Sequence, residues 1–514
     1  MTTVRPGARL TLAVALGAGL LAIATGACTS GAASAQPGRS PAARTGPAPA
    51  GTAAATTGTG SAPAGSTTAG SGGTWSAALA ITPTQKSDSF GGDIASVSCP
   101  SAGNCAAAGS VLSDEDTWGV VVNEVNGKWG GQQSVASLDA LTTGAGEALD
   151  SVSCWAPGDC LAVGYVTAQP PGIPVEHREA ALATEANGTW GGGMVVPGAG
   201  DLGSGAMAEA TVVSCANGGY CAVGGYYADG HGARHAFIAT RSASGGKATW
   251  QAARPLSGLS GITAVSCGAA GSCAAVQGAH VATMSSGTWG SARTLAAASG
   301  LPAGGTATLL AVSCGSAGNC AAGGGYQAGQ QARHAVVAID RDGTWGPVTP
   351  VPGVGGAPTF TSPQVTAVAC APGGALACTA VGGYLAPHSA PRLFTDSYSG
   401  GRWAGAAPLA GVPALLAAAQ GLVSWDATSV SCPSAGNCGL AGYFRNAPLA
   451  QVPAGFAFVA TSANGTWGPA IRVRDPGGAE DELTSVSCPR PGSCRAVGDS
   501  DGNGGLLVEQ APAR

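Results

Sequence analysis

Charge is scarce in this chain of 514 residues. Asp, Glu, Lys and Arg together make up 10%, and only three of the 22 basic residues are Lys. So little charge excludes a charge-laced helical rod, a coiled coil and a basic nucleic-acid binder. Aromatic residues are few at 5%, and six His leave little material for a histidine-based metal centre. Apart from one run near the N-terminus, no stretch is long and apolar enough to span a bilayer. What is abundant is Gly, at 86 residues, beside 33 Pro, just under the share at which disorder is the default. A Gly-rich, helix-poor chain of this length points to many short strands joined by tight turns.

Cysteine sharpens that picture. All but one of the 17 fall in close pairs: Cys99 with Cys105, Cys154 with Cys160, Cys215 with Cys221, Cys267 with Cys273, Cys314 with Cys320, Cys370 with Cys378, Cys432 with Cys438 and Cys488 with Cys494. Seven pairs are C-x5-C and one is C-x7-C. Structural zinc sites space their ligands more closely and recruit His, so hairpin disulfides formed in an oxidising compartment are the expectation.

The N-terminus supplies a route to that compartment. Arg5 and Arg9 precede the apolar run Leu10 to Ala24, and Thr25-Gly26-Ala27-Cys28 follows. This is the layout of an export signal over residues 1–28. Cys28, the unpaired cysteine, stands where bacterial lipoproteins carry their lipid, and the segment resembles a lipobox with Thr25 at the usual Leu position. The expectation is a lipoprotein on the outer face of the cell membrane. The alternatives are secretion after cleavage behind Ala33-Ser34-Ala35 and an uncleaved anchor. Residues 29–73 are Ala, Gly, Ser, Thr and Pro with only Arg39 and Arg44 charged. They read as a disordered tether with a reach of roughly 35–40 Å. Past it the chain carries 18 basic against 27 acidic residues. That balance argues against nucleic acid and against anionic lipid, leaving a lipid anchor as the membrane contact.

The paired cysteines recur at intervals near 56 residues, eight times, the period of a solenoid or propeller. Each copy reads as four strands. The first is of the type Thr428-Ser429-Val430-Ser431-Cys432, and a short loop leads to a second such as Cys378 to Tyr384. The third resembles Arg234 to Thr240, and a turn such as Asn464-Gly465 or Asp342-Gly343 opens a fourth at Trp467 or Trp345. Val stands two residues before the first Cys in all eight copies. Alternation then puts Thr, Val and Cys on one strand face and small Ser and Ala on the other, where inner strands crowd together. Trp75 opens a spare strand at about 74–81, while the last copy lacks its fourth strand and its Trp. The expected fold is all-β: an eight-bladed β-propeller over 74–514, four antiparallel strands per blade, closed by the N-terminal strand. Blades start near 94, 149, 210, 262, 309, 365, 427 and 483, each with one hairpin disulfide.

The runs Val97 to Cys105 and Val430 to Cys438 resemble the V-S-C-P-x-x-G-x-C repeats of exported actinobacterial proteins. That resemblance covers residues 74–514 and implies no activity. The sialidase Asp-box is approached only by Asp340-Arg341-Asp342-Gly343-Thr344-Trp345, which reads as a hairpin turn. Asn187 and Asn464 fit a glycosylation pattern, which the turn reading explains better.

No catalytic residue stands out. Arg178, Arg234-His235 and Arg333-His334 recur at one repeat position, and Tyr165, Tyr226, Tyr326, Tyr384 and Tyr443 at another, which favours architecture over catalysis. Six residues before the first Cys stand Asp93, Glu209, Asp426 and Glu482. Asp426, Glu482 and Asp93 belong to consecutive copies, so they are expected on one arc at the channel mouth, where Ca²⁺ or a cationic ligand group could bind. The plainer reading is that they are solvated strand ends. Trp425 beside Asp426 offers a sugar-stacking surface if packing does not claim it. Long links on that side, including Pro413 to Ala419 as a short helix over the channel, would carry binding. The expected function is non-catalytic recognition or scaffolding of a protein or cell-wall glycan by a surface-tethered monomer, with no cofactor beyond that Ca²⁺. The alternative is a glycan hydrolase or lyase using acids at the channel mouth.

Overall fold

The computed structural model describes residues 73–511 except 82–88, 114–115, 145, 170–176, 204–206, 245–246, 330–332, 355–362, 387–389, 419–421, 447–454, 475–480 and 501–503. The export signal, Cys28, the cleavage point after Ala35 and nearly all of the tether lie outside the described residues. Among the described residues no helix is long and apolar enough to cross a membrane.

The chain is all-β, built as eight successive antiparallel meanders. Their first strands are Ser89–Ser101, Glu147–Ala156, Ala208–Ala216, Ala264–Ala269, Thr306–Ser316, Gln364–Cys370, Leu422–Ser434 and Asp481–Arg490. Each pairs with the strand after its cysteine loop, and that strand with a third. The last copy has three strands of its own. Its third, Gly504–Ala511, is paired by Thr74–Trp75 and Leu79–Ile81, so the start of the described chain supplies the missing edge in two short pieces.

All eight expected disulfides are present, each joining the first and second strands of one copy. They are Cys99 to Cys105, Cys154 to Cys160, Cys215 to Cys221 and Cys267 to Cys273 in the first four copies. Cys314 to Cys320, Cys370 to Cys378, Cys432 to Cys438 and Cys488 to Cys494 follow in the last four. The second cysteine of every pair is buried: Cys105, Cys160, Cys221, Cys273, Cys320, Cys378, Cys438 and Cys494. Each belongs to a core cluster, so the bridges are part of the packing as well as staples across the hairpins.

The turns follow from the residues. Asn126-Gly127, Asn187-Gly188, Asp342-Gly343 and Asn464-Gly465 all have positive φ at both positions, the conformation a two-residue hairpin needs. The glycine of each turn donates its N–H to a glycine carbonyl in the cysteine loop of its own copy, as in Gly127 to Gly103 at 2.8 Å. Cysteine loops and tight turns therefore share one end of the sheets.

Glycine in the second strand has a harder reason. Most first strands carry a bulge four residues before the cysteine, for example between Ala210 and Val212 and between Asp426 and Ser429. The bulge presses the preceding carbonyl against the second strand. A Cβ on Gly225 would lie 2.0 Å from the Glu209 oxygen, and one on Gly442 2.2 Å from that of Asp426. Copy four has Gln277 there, and its first strand begins only at Ala264, beyond the reach of such a contact.

Serine in the V-S-C run proves to be a connector rather than merely a small residue. A first strand is a sheet edge, so half its N–H groups lack ladder partners. The Oγ of Ser98 accepts from Cys154 N–H at 3.0 Å, Ser153 from Cys215 and Ser214 from Cys267. Ser266, Ser313 and Ser431 continue the series to Cys314, Cys370 and Cys488, and Ser487 returns it to Cys99. The step to Cys432 lacks this bond because copy six has Ala369 in place of the serine.

The core lies between copies. One cluster joins Leu161 and Val163 of copy two to Val213, Val223 and Phe237 of copy three. Another joins Ile94 and Val97 of copy one to Val497 and Leu507 of copy eight. The repeated Trp fills the outer part of these seams. Its indole donates to the third strand of the preceding copy: Trp190 to Asn123, Trp289 to Thr240, Trp345 to Thr283 and Trp75 to Thr461. Trp403 has no acceptor among the described residues, since Ile339 occupies the matching place. The segment after Gly411 does form a helix, Val412–Ala418, and Leu415 and Leu416 set it on the core between copies six and seven.

Candidate functional site

Asp93 pairs with Ser110 and Glu209 with Tyr226, far from the cysteine loops of their hairpins. The acidic positions therefore lie at the end of the sheets opposite the tight turns. Two of them have fixed partners. The Arg178 guanidinium reaches across from copy two to Glu209 Oε2 at 3.2 Å and stacks 4.2 Å over the Tyr165 ring. Tyr226 Oη donates to the same oxygen at 2.8 Å, and Arg234 sits 4.0 Å over the Tyr226 ring. Burial, followed by the Glu209 charge, pushes Tyr226 up to about 12. In the other half of the arc Arg445 pairs with Glu482 at 2.8 Å. Burial and then the Glu482 and Asp426 charges push Tyr443 up to about 12. Recurrent Arg and Tyr thus do serve architecture, by stacking and bridging copies. His235 pairs with Asp229 at 2.9 Å and stacks on Tyr227, holding its own loop.

The remaining acids are less well compensated. Asp93 touches solvent, yet enough protein surrounds it that burial raises its carboxyl above the ordinary value. Burial pushes Asp426 up to about 6, partly offset by the Thr366 hydroxyl and the Ala427 N–H. Asp150, in copy two, escapes a search by spacing because it stands four residues before its cysteine instead of six. That is the bulge position, where Thr366, Thr428, Thr484 and Thr211 donate to carbonyls of the next copy at 2.6, 2.6, 2.9 and 3.3 Å. A carboxylate cannot make that bond, and Asp150 Oδ2 is buried with no hydrogen-bond partner among the described residues. Burial, then the charges of Glu209 and Asp93, pushes Asp150 up to about 7 against the pull of Arg178. With Asp150 included, copies seven, eight, one, two and three all contribute an acid.

These acids form a layer, not a cage. Among the described residues no three His, Cys, Asp or Glu side chains converge as metal ligands. The paired cysteines add no ligand either, because all sixteen thiols from Cys99 to Cys494 are consumed in disulfides at the other end of the sheets. Trp425 is half-buried against the core of copies six and seven, with its indole nitrogen over Gly383, so packing claims it. Asp340 of the box-like run is fully buried, its carboxyl pushed up to about 6 by burial.

No protein-family model matches the chain, and no curated protein sequence does. Several solved structures align with most of the chain at low identity. The Chaetomium thermophilum Sqt1 bound to the N-terminus of ribosomal protein L10 aligns at 12% identity and TM-score 0.43, over 83% of this chain and 99% of that one. The WD40 domain of SCAP from fission yeast aligns at 8% and 0.41, over 85% and 98%. An ulvan lyase of polysaccharide lyase family PL25 aligns at 10% and 0.38, over 83% and 94%.

Proposed function

We propose that the eight meanders make a closed eight-bladed propeller, exported from the cell, whose acidic end recognises a protein or cell-wall glycan without catalysis. The observation that carries this reading is the Arg178–Glu209–Tyr226 bridge between copies two and three. It commits a cation, an acid and a phenol to one another and leaves a rigid, patterned surface in place of a mobile acid–base pair. Eight disulfides fit an oxidising location outside the cytoplasm. Within that reading Cys28 carries the lipid anchor, or cleavage after Ala35 releases the domain. Mass spectrometry of the mature N-terminus separates a lipidated Cys28 from a free Gln36.

A second reading, a glycan hydrolase or lyase, draws on Asp150. A carboxyl near 7 beside other acids has the character of a general acid. A screen of wall polysaccharides and surface proteins for both binding and turnover divides the two. Binding without turnover is the expected result. Turnover that disappears in Asp150→Asn or Glu482→Gln overturns it.

A further inference from the structure

The eight copies serve as controls for one another, so a place filled at one seam and left open at the next shows what the open one is shaped to receive. The third-strand residue opposite the second cysteine is Glu124 in copy one and Glu185 in copy two. Both are buried, and each faces the preceding copy. Glu124 meets the Arg495 guanidinium of copy eight at 2.5 Å and engages it through both carboxylate oxygens. Arg495 also donates to the carbonyls of Cys494 and Gln510 at 3.1 and 3.4 Å. One carboxylate and two main-chain oxygens thus cradle a guanidinium there.

At the next seam the cation is missing. Ala106 of copy one stands where copy eight has Arg495, and Asn123 stands opposite it where copy eight has Glu509. Glu185 accepts from the Asn123 amide at 2.5 Å, and the amide oxygen accepts from the Trp190 indole at 2.9 Å. Among the described residues no basic side chain pairs with Glu185. A cleft of 190 Å³ lies there instead, lined by Glu185, Asn123, Cys105 and Glu124, with exposed Asn187 beside them. Cys105 and Glu124 hold the places of Cys494 and Gln510, so the carboxylate and both carbonyls of the cradle recur without the guanidinium. Burial raises the Glu185 carboxyl above its ordinary value, against the pull of Asn123 and with a push from the Asp159 charge.

We propose that the cleft between copies one and two receives the guanidinium of an arginine side chain from a protein partner. The neighbouring seam identifies the ligand, because the same cradle holds a guanidinium of this chain. A planar guanidinium gives a carboxylate two parallel hydrogen bonds and keeps donors for the carbonyls, which the compact ammonium of lysine does not match. The volume falls below the range of sites for whole small molecules and suits a single side chain. Arginine is also among the residues that most often anchor protein interfaces. The cleft is at the turn end, opposite the acidic layer, and stands whether or not that layer binds anything.

The test is titration of the folded domain with short peptides of one sequence whose central residue is arginine, lysine or citrulline, with free agmatine as the small-molecule arm. Calorimetry reads affinity, and the indole N–H resonance of Trp190 reports locally through Asn123. The arginine peptide should bind at least tenfold more tightly than the lysine and citrulline peptides and more tightly than agmatine, and it should shift that resonance. Glu185→Gln should weaken binding at least tenfold. Ala106→Arg, which installs the cation that copy eight carries, should abolish binding while leaving the melting temperature unchanged or higher. Glu209→Gln, at the acidic end, should leave binding as it is. Absence of binding by the arginine peptide, equal binding of the citrulline peptide, or tighter binding of agmatine overturns the proposal. So does arginine binding that survives Glu185→Gln, or that is lost in Glu209→Gln instead.

Discussion

The N–H of Cys99 donates to the Oγ of Ser487 at 3.0 Å, joining the first copy to the last across 388 residues of chain. The same bond links consecutive copies elsewhere, which makes a small hydroxyl the connector between neighbouring first strands. Its one missing step, from Ala369 to Cys432, is a natural deletion. Ala369→Ser should therefore stabilise the domain by about 1 kcal/mol, the usual net worth of such a bond. Urea unfolding of the two proteins checks it, and an unchanged midpoint would count against the connector role.

The seam between copies eight and one has a second tie in Arg495 and Glu124, whose side chains are 11% and 0% exposed. Removing one partner strands a buried charge, so Arg495→Ala should cost about 3–5 kcal/mol. Adding Glu124→Gln should recover a large part of that loss. A double-mutant cycle by chemical unfolding measures the coupling. Additive losses would show that the pair does not hold the seam.

Second-strand glycine is a steric requirement where the bulge presses inward. Gly442→Ala would set a Cβ 2.2 Å from a backbone oxygen and should cost about 3 kcal/mol. Gly127→Ala, with nothing within 4 Å of its Cβ, isolates the separate penalty of a positive φ. Thermal melts should rank Gly442→Ala as the more damaging.

Asp150 and the fully buried Glu147 set a pH dependence. Burial is the leading cause in both, joined at Glu147 by the neighbouring Asp139, and each carboxyl is pushed up to about 7. An acid whose folded value is raised contributes stability that is complete below its unfolded value, near 4, and is lost as pH rises through about 7. The melting temperature should therefore fall between pH 4 and pH 7 and level off above. Asp150→Thr, which restores the hydroxyl used by other copies, should flatten that slope and raise stability at pH 8. A steeper slope in the variant would sink the argument.

Reduction offers a simpler check on the fold. Each seven-residue cysteine loop is worth ~2.4 kcal/mol in the chain-entropy model. Dithiothreitol should thus lower the melting temperature by tens of degrees, with mass spectrometry confirming eight reduced pairs. Because Cys221, Cys273, Cys320 and Cys494 are buried in the seams, reduction should be slow until the domain is warmed or treated with urea. Rapid reduction in the cold would show that the bridges are not shielded by packing.

Much of this was legible without coordinates because the chain repeats itself. The cysteine pairs and the Val two residues before the first of each are local signals read eight times over, and each is decided by chain geometry within one hairpin. The charged end was less legible. Asp150 is hidden because it is itself the extra residue of a bulge, two positions nearer the cysteine than the other acids, and a count from the cysteine cannot see a bulge. Asp93, Asp426 and Glu482 do share one end, but how near they come to one another belongs to the arrangement of copies. Ser487 and Cys99, like Arg495 and Glu124, lie close only because copy eight packs on copy one. Sequence determined the unit, since hairpins are local. Tertiary structure decided what happens at the seams, since which side chains share a cleft depends on how separate units pack.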